Sequence, residues 1–132
     1  MNGQQGEVGE MLRGVLIGES LRVGSALDGV PLQVSTVRRI AVTGAAEGQP
    51  TQWTLLDFRA PEAEAERLAA ALADCLAPSG GWYVNYNTAA DAFVVFAGRV
   101  FRYPRGDPAG RAEVAAYGRG IGIPESQLDW ED

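Results

Sequence analysis

Three arginines recur at three-residue spacing in the stretch FVVFAGRVFRYPRGD: Arg99, Arg102 and Arg105. Guanidinium groups bind carboxylates and phosphates through paired hydrogen bonds, so three of them together would make an anion site. In a β-strand, however, Arg99 and Arg105 have one parity and Arg102 has the other. The spacing therefore predicts that the three side chains do not share a patch. It also predicts that Arg99 stacks on Phe96 across a hairpin.

An alternative anion site is offered by RYPRGDPAGR, residues 102–111. Free amides at the start of a predicted helix, flanked by Arg105 and Arg111, are groups that a phosphate or carboxylate uses. Asp107 opposes this interpretation. As the helix N-cap its carboxylate accepts the same amides and repels an anion, and Arg111 is placed to pair with it. A capped helix start is favoured, with Arg102, Arg105 and Arg111 kept as candidate ligand-binding residues.

Aromatic and amide side chains are concentrated in WYVNYN, residues 82–87. Amphipathic aromatic groups beside amides suit the binding of a sugar, a peptide or a flat metabolite. Tyr83 and Asn85 are therefore candidate binding residues. Ordinary cross-strand packing of these side chains is the favoured alternative.

Asp57 lies in the middle of the predicted strand TQWTLLDFRA, in line with Trp53 and Leu55. An unpaired carboxylate is costly to bury, so Asp57 could be a general acid or base in a cleft. Pairing with Arg38 or Arg39 of the preceding strand is favoured. Asp57 and Arg38 complete the candidate ligand-binding set, and no catalytic residue is assigned.

Several kinds of chemistry are excluded by missing residue types. The chain has 132 residues with no histidine, no lysine and one cysteine. A zinc, copper or haem site, a Schiff base and a P-loop lysine are therefore not expected. No segment has the spacing of a calcium loop, so we predict no metal and no cofactor. Cys75 falls on the apolar stripe of a predicted helix, where a thiol acts as a small hydrophobe.

The charge is acidic overall and uneven along the chain. The formal net charge is −6, yet residues 93–119 carry five arginines against Asp107 and Glu113. An acidic protein does not favour nucleic acid or an anionic membrane, so neither is predicted as a partner. The apolar runs are short and no signal-peptide core opens the chain, which favours a cytoplasmic protein.

The residue pattern predicts an α+β fold. Residues 1–11 are expected to form a disordered tail, with Met11 as an alternative translation start, and residues 12–132 a single domain. Strands occur in groups separated by two helices. We therefore expect an antiparallel sheet of five or six strands with two helices packed on one face.

Particular elements follow from local signals. Residues 15–17 predict a short strand. The alternation in 32–43 predicts a half-buried strand that Arg38 interrupts, with either a bulge near Val37 or a bend there. A two-residue Ala97–Gly98 turn predicts a hairpin that pairs Phe96 with Arg99. The two helices are expected to start at Pro61 and Pro108 and to end near Leu76 and Gly118. A last helical turn is expected to dock Leu128 and Trp130.

Two functions remain open on the sequence. The favoured one is a small non-catalytic accessory or regulatory protein that binds a partner protein or itself. Missing catalytic residue types and abundant strands support this expectation. The alternative is a binder, or an enzyme, for a small anionic metabolite that uses arginine, tyrosine and aspartate without a metal.

Overall fold

The computed structural model describes residues 10–132, which form one antiparallel sheet and two α-helices. Along the sheet the strand order is β2-β3-β1-β4-β5-β6. The α+β class, the antiparallel sheet and the two helices are confirmed. The strands are β1 (Met11–Ile17), β2 (Gln33–Ala41), β3 (Gln52–Pro61), β4 (Tyr83–Asn87), β5 (Asp91–Phe96) and β6 (Arg99–Pro104), and the helices are α1 (Ala65–Cys75) and α2 (Pro108–Gly120).

The two helices lie on opposite faces of the sheet, whereas the sequence predicted both on one face. Side chains alternate along β5, so Phe93 and Val95 pack in the cluster with α1, while Val94 and Phe96 pack in the cluster with α2. Every residue from Ala92 to Phe96 is buried. A strand covered on both faces is a continuous apolar run, as AFVVF is in residues 92–96. We call the two surfaces the α1 face and the α2 face.

On the α1 face, the helix closes over the middle of the sheet. Leu68 and Leu72 are fully buried against a group from β1, β3 and β4 that includes Leu12, Leu16, Phe58 and Tyr86. The hydroxyl of Tyr86 donates to the carbonyl of Ala65 at 2.5 Å, and burial raises the pKa of this phenol. Cys75 is buried beside this core, in agreement with its predicted packing role.

On the α2 face, the helix covers the β5–β6 end of the sheet. Phe96 contacts the ring of Tyr117 at 4.9 Å between centroids, and Val114 is buried beside them. The helix ends at Gly120, close to the expected end near Gly118. Gly118 is buried under Leu128, so it serves there as a close-contact position inside the helix. Leu128 and Trp130 are docked as predicted.

Several element boundaries differ from the predictions. Strand β1 begins at Met11, which pairs with Pro61, so residue 11 belongs to the sheet and only 1–9 of the predicted tail lie outside the described residues. Pro61 ends β3, and a 3-10 turn at 62–64 precedes α1. The Ala97–Gly98 hairpin has the predicted register, with Phe96 opposite Arg99.

Strand β2 is exposed along its whole length, whereas its alternating pattern predicted one buried face. It is one of the two edge strands of the sheet, and neither helix extends over it. The pairing shifts between Val34 and Thr36, close to the bulge predicted at Val37. The bulge places Arg38 on the α2 face, opposite Leu55.

Glu19 holds β3 in place from the turn that follows β1. Its Oε1 accepts from the backbone N–H of Thr54 at 2.6 Å, and its Oε2 accepts from Thr54 Oγ1 and from Arg39 at 2.9 and 3.0 Å. Burial alone would raise the pKa of Glu19, but these hydrogen bonds and the charge of Arg39 outweigh it and lower the pKa. The ionised carboxylate therefore stabilises the folded sheet.

We expect Glu19→Gln to lower the free energy of unfolding at pH 7 by about 1 kcal/mol, because a charged acceptor of three hydrogen bonds is lost. A lowered folded-state pKa contributes stability above the unfolded value, about 4.3, and loses it as the pH falls through the folded value. The gap in Tm between wild type and variant should therefore close below about pH 4. Glu47→Gln, at an exposed loop carboxylate, is the control, and a gap that is constant with pH would contradict the assignment.

Candidate functional site

Half of the α2 face is left uncovered by α2. The helix packs over β5 and β6, whereas the outward side chains of β2, β3 and β1 have no helix above them. Val15 is 40% exposed and Ile40 is 36% exposed on this side. We call this surface, formed by the α2-side residues of β2, β3, β1 and β4, the open face.

The strand registers place the side chains of the open face in rows across the sheet. One row joins Arg38 to Leu55 and Ile17, and the next joins Thr36 to Asp57 and Val15. A further row joins Arg59 to Arg13. Strand β4 extends the rows, since Gly14 pairs with Tyr86 and the outward residues of β4 are Tyr83, Asn85 and Asn87.

An apolar groove of about 430 Å³ runs across one end of the open face. Its floor is aliphatic and aromatic, and Trp53 and Trp82 meet edge to face with ring centroids 5.3 Å apart. The Trp53 indole N–H donates to the carbonyl of Pro50 at 2.8 Å, which fixes that ring. The floor residues are Val15, Ile17, Ile40, Trp53, Leu55 and Trp82.

A polar wall bounds the groove beside β4. Tyr83 donates its hydroxyl proton to the carbonyl of Gln127, and Asn85 and Asp129 line the same side. Burial and the nearby charge of Asp129 raise the pKa of Tyr83 to about 12. Tyr83 is therefore a neutral phenol at physiological pH, and its proton is already donated to the backbone. It fits a structural role in the groove lining better than the role of a general base. The structure brings the predicted residues Tyr83 and Asn85 together here.

The other end of the open face is basic. Arg13 and Arg59 flank a depression of about 550 Å³. Asp57 also lines it, but its two carboxylate oxygens accept from Nε and Nη2 of Arg38, both at 3.1 Å. The expected pairing of Asp57 with Arg38 is thus present. Both carboxylate oxygens of Asp57, which acid–base chemistry would need, are hydrogen-bonded to Arg38.

The remaining predicted ligand-binding arginines lie apart from the open face. Arg102 is on the α1 face, where it pairs with Asp91 and Glu66. Arg105 donates to the carbonyl of Thr88 at 3.3 Å. The three arginines of the opening stretch therefore do not share a patch, as their parity predicted.

Two contacts differ from those predicted for this segment. Arg99 stacks on Phe101 at 4.5 Å from the ring centroid, in place of Phe96. Arg111 lies 4.3 Å from the Trp130 centroid and 3.6 Å from Asp132, and does not pair with Asp107. The side chain of Asp107 does cap α2, accepting from the N–H of Ala109 at 3.1 Å.

Arg13, Arg59 and Trp53 are the important residues that the sequence analysis did not select. Strand parity was a usable signal, because Arg59 is in line with Asp57 and Leu55, and Arg13 is in line with Val15. The pairing of β1 with β3 was needed to bring them together, and parity within one strand carries no such information.

The described residues were also compared with the requirements of a metal site and of a membrane span. Within residues 10–132 no group of three or more histidine, cysteine or acidic side chains is close enough to hold a metal ion. In the same range no helix is long and apolar enough to cross a membrane. Comparison of the chain with protein-family models, curated proteins and solved structures gives no match.

Proposed function

We propose that this protein is a non-catalytic accessory or regulatory protein that binds a partner protein through its open face. The observation that carries the proposal is that α2 covers only one end of its face. Strands β2, β3 and β1 then present a wide surface with an apolar groove, bounded at β4 by the C-terminal residues that contact Tyr83 and Asn87. Exposed apolar patches with polar rims are typical of protein interaction sites.

The paired state of the polar side chains favours binding over catalysis. Asp57 is held by Arg38, and Tyr83 is hydrogen-bonded to the backbone of Gln127. A general acid or base must have its lone pair or proton available to a substrate. The groove floor is apolar, so burial of Trp53 and Leu55 by a partner would supply the binding energy.

The open face is a better candidate for the docking site than the sheet edge formed by β2. Strand β2 carries a bulge near Ser35 and two arginines, Arg38 and Arg39. Bulges and charges on an edge strand oppose pairing with a further strand. The net charge of −6 on every copy also opposes self-association, so the proposed occupant is a different protein.

The alternative function, binding of a small anionic metabolite, has weaker support. Its predicted arginines lie on different surfaces and are each engaged: Arg38 with Asp57, Arg102 with Asp91, and Arg111 with Asp132. A small anion needs several such groups around one cleft. The dispersal of these arginines therefore favours the protein-binding proposal.

The proposal is tested with two variants that each add one carboxylate. Leu55→Glu changes the groove floor, whereas Val23→Glu changes a loop residue that is 98% exposed and far from the open face. We expect one cell protein to be captured by wild type and by Val23→Glu but not by Leu55→Glu. The same dependence is expected when the complex is rebuilt from the two purified proteins.

Two results would overturn this proposal. Equal capture by all three proteins would show that the groove takes no part in binding. A dimer seen by light scattering that Leu55→Glu converts to a monomer would identify a second copy, not a different protein, as the occupant. Circular dichroism melts of both variants check that they remain folded.

A further inference from the structure

Arg13 and Arg59 form a like-charged pair that the fold does not explain. They are direct partners in the antiparallel pairing of β1 with β3, and both are exposed on the open face. Like charges directly opposite each other on two strands destabilise a sheet. A ligand of opposite charge at this place would remove that repulsion.

Within the described residues neither arginine of this pair forms an ion pair, although Glu131 lines a neighbouring depression beside Arg13. Among residues 10–132, no acidic side chain lies within 4.0 Å of the Arg13 or Arg59 guanidinium. Asp57 lines the same depression, but both of its oxygens are taken by Arg38. Ser35 and Thr36 also line it, and the Ser35 hydroxyl donates to the Asp57 carbonyl at 3.3 Å. The depression is therefore suited to a carboxylate or another oxyanion.

The basic depression and the apolar groove are continuous. Val15 lines both of them, and β3 runs from one to the other. Leu55 and Arg59 are four residues apart on β3, which corresponds to about 13 Å at the rise of a strand. A small metabolite is too short to reach both ends. An extended peptide spans them, because its side chains at positions i and i+4 point the same way.

We propose that the open face takes an extended acidic segment of the partner protein. A carboxylate of the segment lies between Arg13 and Arg59, and an apolar side chain about four positions away fills the groove over Leu55. This proposal rests on the proposed function and adds the chemical class of the partner. The local positive charge acts within about 8 Å at physiological ionic strength, so it can attract an acid although the whole protein is acidic.

The test uses a displayed library of random dodecapeptides selected on the immobilised wild-type protein. We expect the enriched peptides to share an acidic residue and a large apolar residue about four positions apart. A labelled synthetic copy should bind Arg13→Gln and Arg59→Gln about tenfold more weakly than wild type. Arg99→Gln is the matched control, since Arg99 is an exposed strand arginine that stacks on Phe101 on the covered half of the α2 face.

The outcomes separate this proposal from the proposed function. Peptides without an acidic residue that lose binding with Leu55→Glu would overturn the acidic segment and keep the open face as the docking site. If the peptides bind Leu55→Glu and both arginine variants as tightly as wild type, both proposals are overturned. A library that yields no binding peptide would overturn both as well. Inorganic phosphate is the second arm. If phosphate binding depends on Arg13 and Arg59 and peptide binding does not, the site takes a free anion and the acidic segment is overturned.

Discussion

Replacement of Phe93 or of Phe96 by alanine is expected to lower the free energy of unfolding by about 3–5 kcal/mol in each case. The two residues are three positions apart in β5, so they point to opposite faces, and they are 2% and 1% exposed. Phe93 stacks on Tyr86 on the α1 face, and Phe96 contacts Tyr117 on the α2 face. Each truncation therefore opens a cavity under a different helix.

The pair tests the arrangement of the helices and not only the packing of one ring. If both helices lay on one face, one of the two phenylalanines would face solvent and its truncation would cost little. Equilibrium urea unfolding followed by circular dichroism gives both values. Val100→Ala, at a residue 40% exposed on β6, is the control and should cost less than about 1 kcal/mol.

A large cost for one phenylalanine and a cost near that of Val100→Ala for the other would contradict the two-faced sheet. Because a small protein has only about 5–15 kcal/mol of stability, an alanine variant could fail to fold. Phe93→Leu and Phe96→Leu keep most of the side-chain volume and should each cost about 1 kcal/mol. If Phe93→Leu and Phe96→Leu lower the free energy of unfolding by similar amounts, the result would also support a helix on each face of the sheet.

Gly110→Ala is expected to destabilise the protein by about 1–3 kcal/mol, although alanine is the better helix former. A β-carbon at position 110 would lie 2.6 Å from Cβ and 2.8 Å from Cγ of Tyr103. These atoms are close to the backbone of β6, so they cannot move aside without shifting the strand or the helix. The contact between α2 and the sheet therefore requires glycine at this position.

Gly120→Ala is the matched control for this change. Gly120 is in the same helix, and a β-carbon there meets no atom within 4 Å. The Gly120→Ala substitution should be neutral or stabilise the helix by up to about 1 kcal/mol. Thermal and urea unfolding of the two variants should thus move in different directions, and equal shifts would contradict the close approach of α2 to Tyr103.

Much of the architecture followed from local patterns. The turn residues Ala97 and Gly98 fixed a two-residue hairpin, and its register followed because a short loop leaves little freedom. Asp107 before Pro108 marked the start of α2, since a side-chain acceptor and a missing N–H are both favourable there.

Errors arose where the environment of an element mattered. Strand β2 has the alternating pattern of a half-buried strand, yet it is exposed because it lies at the edge beyond both helices. Pro61 has the position typical of a helix start, but the pairing of β3 with β1 extends the strand through it. Arg99 stacks on Phe101 and lies over Tyr117 of α2, a ring that is distant in the chain.

The candidate site depended on contacts between distant segments. Tyr83 and Asn85 were selected from their side-chain chemistry, and the structure places them on the wall of the groove. Arg13 and Arg59 are 46 positions apart in the chain, so only strand pairing makes them neighbours. Arg102 and Arg111 have the right chemistry for an anion site but are taken by Asp91 and Asp132.

The sequence by itself determined the α+β class, the hairpin register, the α2 cap and the absence of histidine and lysine chemistry, because these depend on composition and on residues close in the chain. Only the tertiary structure decided which face each helix covers, and hence that the β2, β3 and β1 part of the sheet stays open. The physical reason is that β5 is apolar on both sides. Both of its faces must therefore be covered, but its pattern does not say which helix covers which side, and this is decided by the packing of Phe93 under α1 and of Phe96 under α2.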